Sequence, residues 1–347
     1  RRRHTRFRNV TGVQTCALPI FSLVLNGRGR GRVSPEVATK IIEKSKELKY
    51  QPNLLGRSLR TQASKLIGLV SDKIATTPFA GQLIAGAQSI FFENHWLLFM
   101  ANTEGDKEEE SEAIRGLMQH NVAGFIYASM FHQEVSLPKE LNSSRVVLLD
   151  CFDSKQKFDC VIPDESQGAR LAVEYLISKG HRRIAHITHA TNQYAAKLRK
   201  EAYLQVLKEN HLKIREEYVV NSPESHAEDG YLSTKKLLQS KELPTAIFAF
   251  TDRMAMGAYQ AIQEFGLKPG SDISLVGFDN QPDIASALLP GLTTIQLPHF
   301  EMGVTAARLL IGQFGKDDQR DGSSNTSRTH LVKCNLVERD SVDRKST

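Results

Sequence analysis

Pro244-Thr245-Ala246-Ile247-Phe248-Ala249 is followed, four residues later, by a helical pattern over Met254–Glu264. Then comes Asp272-Ile273-Ser274-Leu275-Val276-Gly277-Phe278-Asp279. Two short apolar runs flanking one helix read as a strand–helix–strand unit, and a helical crossover makes the two strands parallel. Working outward, the same alternation reaches back to Leu66. Strands are predicted at Leu66–Val70, Leu97–Ala101, Gly124–Tyr127, Val146–Leu149, Ile184–Ile187, Ala246–Ala249 and Ile273–Val276. Helices are predicted at Gln82–Glu93, Glu108–His120, Gln167–Lys179, Lys197–Glu209, Ala227–Gln239, Met254–Glu264 and Glu301–Ile311. This is an α/β chain of doubly wound parallel sheets. About twelve such units overfill one compact sheet, so two lobes are expected. Ligands of such folds gather beyond the carboxyl ends of strands, and a cleft between lobes collects them from both sides.

The charge is uneven. The 347 residues carry a formal +6, but residues 1–20 hold +5, residues 21–65 hold +7, and the remainder is acidic. A basic piece on an acidic body fits either a polyanion partner for that piece or a solvated tail. Cys16, Cys151, Cys160 and Cys334 form no paired motif or metal spacing, which fits reduced thiols. No run of 18 apolar residues is present to span a membrane.

Residues 1–20 resist a physical reading. They begin Arg1-Arg2-Arg3, and Val10–Ile20 follows neither helical nor strand periodicity. The string resembles a translated sequencing-library adapter and is expected to be foreign to the fold. Its apolar run is short for a signal peptide.

Phe21 through Gly27 reads as the last turns of a helix closed by Asn26-Gly27. The Gly27–Arg32 loop lacks the dinucleotide pattern. Ser34 and Pro35 open a second helix ending near Tyr50, with Val37, Ile41, Ile42 and Leu48 on one apolar face. A short helix is possible over Asn53–Thr61 and would be marginal alone.

The segments Ser22–Gly27, Val33-Ser34-Pro35-Glu36, Tyr50-Gln51-Pro52-Asn53 and Arg57-Ser58-Leu59-Arg60-Thr61 resemble the DNA-binding headpiece of the lac repressor/gal repressor family. The body resembles that family's effector-binding core through Gly124-Phe125-Ile126, Gly180-His181-Arg182-Arg183-Ile184-Ala185, Pro244–Ala249, Asp272–Asp279 and Leu292-Thr293-Thr294-Ile295. The resemblance implies a two-lobed core like that of periplasmic sugar-binding proteins (type I), preceded by a partial helix-turn-helix headpiece and a hinge helix. Its organisation is then 21–50 headpiece remnant, 51–65 hinge and linker, and 66–347 effector-binding and dimerisation core. Lobe 1 takes about 66–161 and 297–322, and lobe 2 about 162–296 and 326–340. Crossings are expected near 161–164, 295–298 and 322–328. The first headpiece helix and most of the recognition helix have no counterpart, so the chain as written should bind DNA poorly.

The resemblance also implies site residues. Ser22, Leu23 and Asn26 end the recognition helix. Leu59 is the minor-groove wedge, with Ser58 beside it and Arg57 and Arg60 near phosphates. In the cleft, Asp279 ends a strand, where an ionised carboxylate can accept two hydroxyl hydrogen bonds. Lys197 stands where the family usually has an arginine, and Arg199 is expected to point elsewhere on the helix. Thr251 offers a hydroxyl where asparagine is common, and Phe79 offers an apolar wall. Asp72, Asp150 and His299 lie toward the same rim. Ser225 replaces an aromatic platform, which leaves both a sugar and a purine-like effector open.

A free sugar-binding protein would leave residues 21–65 without a role. An enzyme would need a motif, and no GxSxG, P-loop or HExxH occurs. His181, His186 and His189 lack usual zinc spacing. The expected function is a cytoplasmic, homodimeric repressor without cofactor or metal. It would release or grip operator DNA as a sugar, sugar phosphate or purine binds.

Overall fold

The computed structural model describes residues 20–21, 23–25, 29–48, 50, 64–74, 81–190, 193–314 and 328–345. Ser22, Asn26, Arg57, Ser58, Leu59, Arg60 and Phe79 lie outside them, as does the expected helix over 53–61. The chain divides into two units, residues 1–64 and 65–347.

In the first unit, residues 23–25 are helical and Leu23 is half-buried. Helix α1 (Pro35–Glu47) starts as its sequence dictates, with Ser34 Oγ accepting from the Val37 N–H at 3.4 Å and Pro35 in the first turn. Phe21 and Tyr50 meet edge to face at 5.0 Å. Of its apolar face, Val37, Ile42 and Leu48 are 45%, 41% and 70% exposed and Ile41 is half-buried.

The second unit is α/β. Its elements run β1 (Leu66–Ser71), α2 (Gly81–Glu93), β2 (Leu97–Asn102), α3 (Lys107–Gln119), β3 (Gly124–Glu134), β4 (Val146–Phe152), β5 (Asp159–Pro163), α4 (Glu165–Ser178), β6 (Ile184–His189), α5 (Tyr194–Glu209) and β7 (Val219–Ser222). They continue through α6 (Ala227–Leu238), β8 (Ala246–Ala249), α7 (Asp252–Glu264), β9 (Ser274–Asp279), α8 (Pro282–Ala285), β10 (Thr293–Gln296), α9 (His299–Gly312), β11 (Thr329–Val332) and β12 (Asn335–Val337).

These strands form two six-stranded sheets, ordered β11-β5-β4-β3-β1-β2 and β12-β10-β9-β8-β6-β7. The pairings are parallel except β10 with β12. Helices cover both faces of each sheet, which explains why the strands read as continuous apolar runs. On the first sheet, Leu83 and Phe91 of α2 pack with Met302 and Leu310 of α9, while Ile114 and Leu117 of α3 cover the other face. On the second, α6 and α7 close one face and α4 and α5 the other.

The chain passes between sheets after β5, after β10 and after β11. The first two passages fall within the expected windows. The third falls at Lys333–Cys334, because β11 pairs with β5 in the first sheet before β12 joins the second. The second lobe's last segment therefore begins at 335, later than the expected 326. A half-exposed β11 of alternating burial carried too little apolar signal to be read as a strand. Among the described residues, no helix is long and apolar enough to cross a membrane.

Candidate functional site

The carboxyl ends of strands from both sheets bring a set of charged side chains together. Asp150 comes from β4 and Asp279 from β9. Both have positive φ, 57° and 113°, a backbone state that non-glycine residues hold only when the surroundings impose it. Asp150 is 5% exposed, and its Oδ1 has no hydrogen-bond partner among the described residues. Burial, then the Glu165 carboxylate, pushes its pKa well above the usual carboxylate range, with Arg199 opposing. Asp279 accepts from Gln281 Nε2 at 2.9 Å. Burial lifts its pKa to about 6 against the pull of Arg199, the Gln281 hydrogen bond and Arg253. It does not cap the following turn: the Gln281 backbone N–H goes to Asp252 at 2.7 Å.

Arg199 is the centre of the cluster, a correction to the expected placement of Lys197. Along α5 the inward face is Ala195, Arg199, Ala202 and Val206, a four–three–four spacing that keeps one side of a helix. Lys197 sits about 200° away from Arg199 at 100° per residue and is exposed. Arg199 donates from Nε to Glu165 at 2.7 Å and from Nη1 to the Phe250 carbonyl at 2.6 Å. Its guanidinium lies 3.5 Å from the Phe278 ring centroid and 4.5 Å from that of Phe250. Burial works against its charge, but Glu165, through its charge and its hydrogen bond, together with Asp279 prevails and the pKa rises. Glu165, the first residue of α4 after the first crossing, is 2% exposed.

Three other expected residues do different work. Asp72 spends both oxygens on local order: Oδ1 accepts from the N–H groups of Lys73 at 2.6 Å and Met130 at 2.9 Å, and Oδ2 from the Ser129 hydroxyl at 2.9 Å. It stays within electrostatic reach of Asp150. Thr251 caps α7, accepting from the Met254 N–H at 3.2 Å and donating to the Ser225 carbonyl at 3.3 Å, so its hydroxyl is already engaged. His299 opens α9 at 6% exposure, and burial, then Arg199, lowers its pKa to about 4.

Asp252, missed in the sequence, is fully buried and accepts from Thr294 Oγ1 at 2.5 Å. Gln281 links it to Asp279, and burial, then Asp279, raises its pKa well above the ordinary value. His132, also missed, is 3% exposed, with Nδ1 3.9 Å from Glu165. The other histidines do not converge. His181 bonds Thr245 and the Asp343 carbonyl, His186 bonds the Phe248 carbonyl and stacks on its ring, and His189 faces Glu224. A separate surface hollow of about 560 Å³, lined by Lys268, Leu289, Pro290 and Arg339 among others, shares no residue with the cluster. We place the site at the cluster, because it gathers charged side chains from both sheets and leaves Asp150 Oδ1 and both His132 nitrogens buried without partners among the described residues.

The arrangement is rich in acceptors and shielded from water. Carboxylates accept from hydroxyl groups, and a buried guanidinium and uncharged imidazoles can donate. It can hold a small polyhydroxylated molecule.

Comparisons with known proteins bear on the fold and the family. Residues 173–342 match the periplasmic binding protein-like domain. The chain is 32% identical to the ribose operon repressor of Escherichia coli (strain K12) over 281 residues, covering 80% of this chain and 84% of that protein. It is 31% identical to the HTH-type transcriptional repressor PurR of Klebsiella pneumoniae (strain 342), covering 89% of each. The lac repressor dimer bound to operator and the anti-inducer ONPF superposes with a TM-score of 0.76 at 25% identity, covering 94% of this chain and 95% of that one. A LacI-family regulator from Rhizobium etli superposes at 0.72 with 28% identity, covering 81% and 100%. The chain belongs to the LacI/GalR family of transcriptional regulators.

Proposed function

We propose that the protein is a homodimeric repressor in the cytoplasm, without enzymatic activity, that binds operator DNA and answers to a small polar effector held between its two sheets. The observation that carries this is the buried cluster of Asp150, Glu165, Arg199 and Asp279, drawn from both sheets, with Asp150 Oδ1 left unpartnered. A ligand that joins the two sheets shifts their relative orientation only through unequal affinity for two states. Twofold symmetry presents two headpieces to two half-sites. Leu23 is the described residue of the DNA-reading set. Ser22, Asn26, Arg57, Ser58, Leu59 and Arg60 complete it in this reading.

The charge balance favours an uncharged effector. Asp150, Glu165, Asp252 and Asp279 supply four carboxyl groups against Arg199, Arg253 and Arg339, Arg199 is already committed to Glu165, and burial holds Asp150 and Asp252 toward their uncharged forms. A sugar donates hydroxyl hydrogens to such acceptors, whereas a phosphate brings further negative charge. A thermal-shift screen of the full chain against neutral sugars, their phosphate esters and purine bases tests the reading, since a ligand of the folded state raises its melting temperature. Neutral sugars are expected to stabilise. No shift with any class, in a protein whose operator binding ignores all three, rules the reading out.

Affinity should also depend on pH. Asp279 accepts hydroxyl hydrogens when ionised, and its pKa stands at about 6. Binding of a neutral sugar should strengthen as pH rises through 6, by up to about tenfold per unit below it, and level off above 7. Calorimetric titrations from pH 5 to 8 read this directly, and a flat profile removes Asp279 from the contact. On DNA, in a chain whose missing headpiece helices are restored, Leu59→Ala should weaken specific operator binding more than nonspecific binding. Equal losses count against the wedge.

A further inference from the structure

The far end of β3 buries an imidazole that packing alone does not require. The strand continues past a register shift between Ala128 and Gln133, and Asp72 pins that irregularity through Ser129 and Met130. The extension carries His132 inward. Its ring lies edge-on to Tyr194 at 4.9 Å and to Phe152 at 5.7 Å, and those two rings are 4.8 Å apart. Neither ring nitrogen has a hydrogen-bond partner among the described residues. The 3.9 Å separation from Glu165 is too long to count as a hydrogen bond. Burial lowers the pKa to about 4, with Glu165 opposing and Arg199 assisting, so the ring is uncharged at pH 7.

Leaving both nitrogens of a buried histidine unpaired costs stability, and an apolar side chain of similar size would avoid that cost. Such a group persists where something else uses it. The location supplies the user. His132 and Phe152 belong to the first sheet, while Tyr194, Glu165 and Arg199 lie on α5 and α4, the helices that cover the second. Tyr194 is 38% exposed, so this wall reaches the surface.

We propose that His132 reads a hydroxyl group of the effector, and that Phe152 and Tyr194 form the wall beside it where the carbon face of a sugar ring lies. An imidazole donates at one nitrogen and accepts at the other, so it serves a hydroxyl in either sense. The assignment rests on the cleft being the effector site, and it adds a residue that selects among ligands to the carboxylates already described.

The test compares the full chain with His132→Leu and His132→Gln, using a panel of neutral aldoses that includes D-ribose, D-glucose and D-galactose. Two quantities are read: the melting temperature without ligand, and the affinity for whichever sugar stabilises the wild type most. The ligand-free His132→Leu protein should melt no lower than the wild type. Its sugar affinity should fall at least tenfold, and His132→Gln should retain part of the binding. A ligand-free melting temperature several degrees lower makes His132 a structural group and overturns the proposal. So does a sugar that binds His132→Leu and wild type equally, and that result leaves the cleft reading intact. If no aldose stabilises the wild type, the effector is not a neutral sugar and this assignment falls, while the cleft reading stands or falls with the wider screen.

Discussion

Replacing Arg199 by leucine is expected to lower stability by about 3–5 kcal/mol, the cost of breaking a buried ion pair from one side. The side chain bridges Glu165 and the Phe250 carbonyl and covers two aromatic faces. Its removal leaves the Glu165 carboxylate 2% exposed, facing Asp150 and Asp279 with no cation between them. The Phe250 carbonyl loses a donor as well. Lysine is not a conservative repair, because one ammonium on a flexible stem does not reproduce the two-directional reach of a guanidinium. Urea unfolding reads the loss as a lower midpoint. The double substitution Arg199→Leu with Glu165→Leu should recover most of it, since replacing a buried pair by apolar groups is often neutral. An unchanged midpoint in the single variant would mean that the pair contributes little and that the cluster is held by backbone packing alone.

That side chain also marks where sequence reasoning stopped short. The alternation of apolar runs with helical patterns gave strands β1–β4, β6, β8 and β9 and the long helices around them, because strands covered on both faces must be continuously apolar; the short strands β5, β7, β10, β11 and β12 and the four-residue α8 carried too little pattern to be read. Asp150 and Asp279 were legible for a related reason: a carboxylate directly after such a run lies at the sheet's rim. Arg199 was legible too, through the spacing of Ala195, Ala202 and Val206 around it, but a position matched by likeness drew attention to Lys197 instead. Glu165 and His132 carried weaker signals. The direction in which α4 leaves the first crossing decides whether Glu165 faces the interior. The register shift in β3 decides which way His132 points, and a two-residue alternation cannot anticipate it. Thr251 precedes a helix, where a hydroxyl commonly caps. Here the local role prevailed over the ligand role suggested by its position.

Gly257→Ala should be the most damaging small substitution in the second sheet's helices. In an exposed helix this exchange stabilises by roughly 0.5–1 kcal/mol, and the buried position reverses the sign. A Cβ on Gly257 would stand 1.8 Å from the Ala227 carbonyl oxygen and 2.7 Å from the Tyr231 nitrogen. The reciprocal position is as tight, with a Cβ on Gly230 falling 2.0 Å from the Met254 carbonyl oxygen. Helices α6 and α7 therefore meet backbone to backbone, and neither obstacle can rotate away as a side chain could. The helices must separate, at a cost of about 3 kcal/mol, the upper end of what overpacking usually brings. The damage reaches the site, because α7 begins at Asp252, which holds Thr294 and the Gln281 N–H, and Gln281 in turn holds Asp279. Effector affinity should fall together with the melting temperature. Gly116→Ala in α3 is the matched control, since nothing lies within 4 Å of its added Cβ, and it should raise the melting temperature slightly. If both substitutions raise it, the close approach of α6 and α7 is not what sets their spacing.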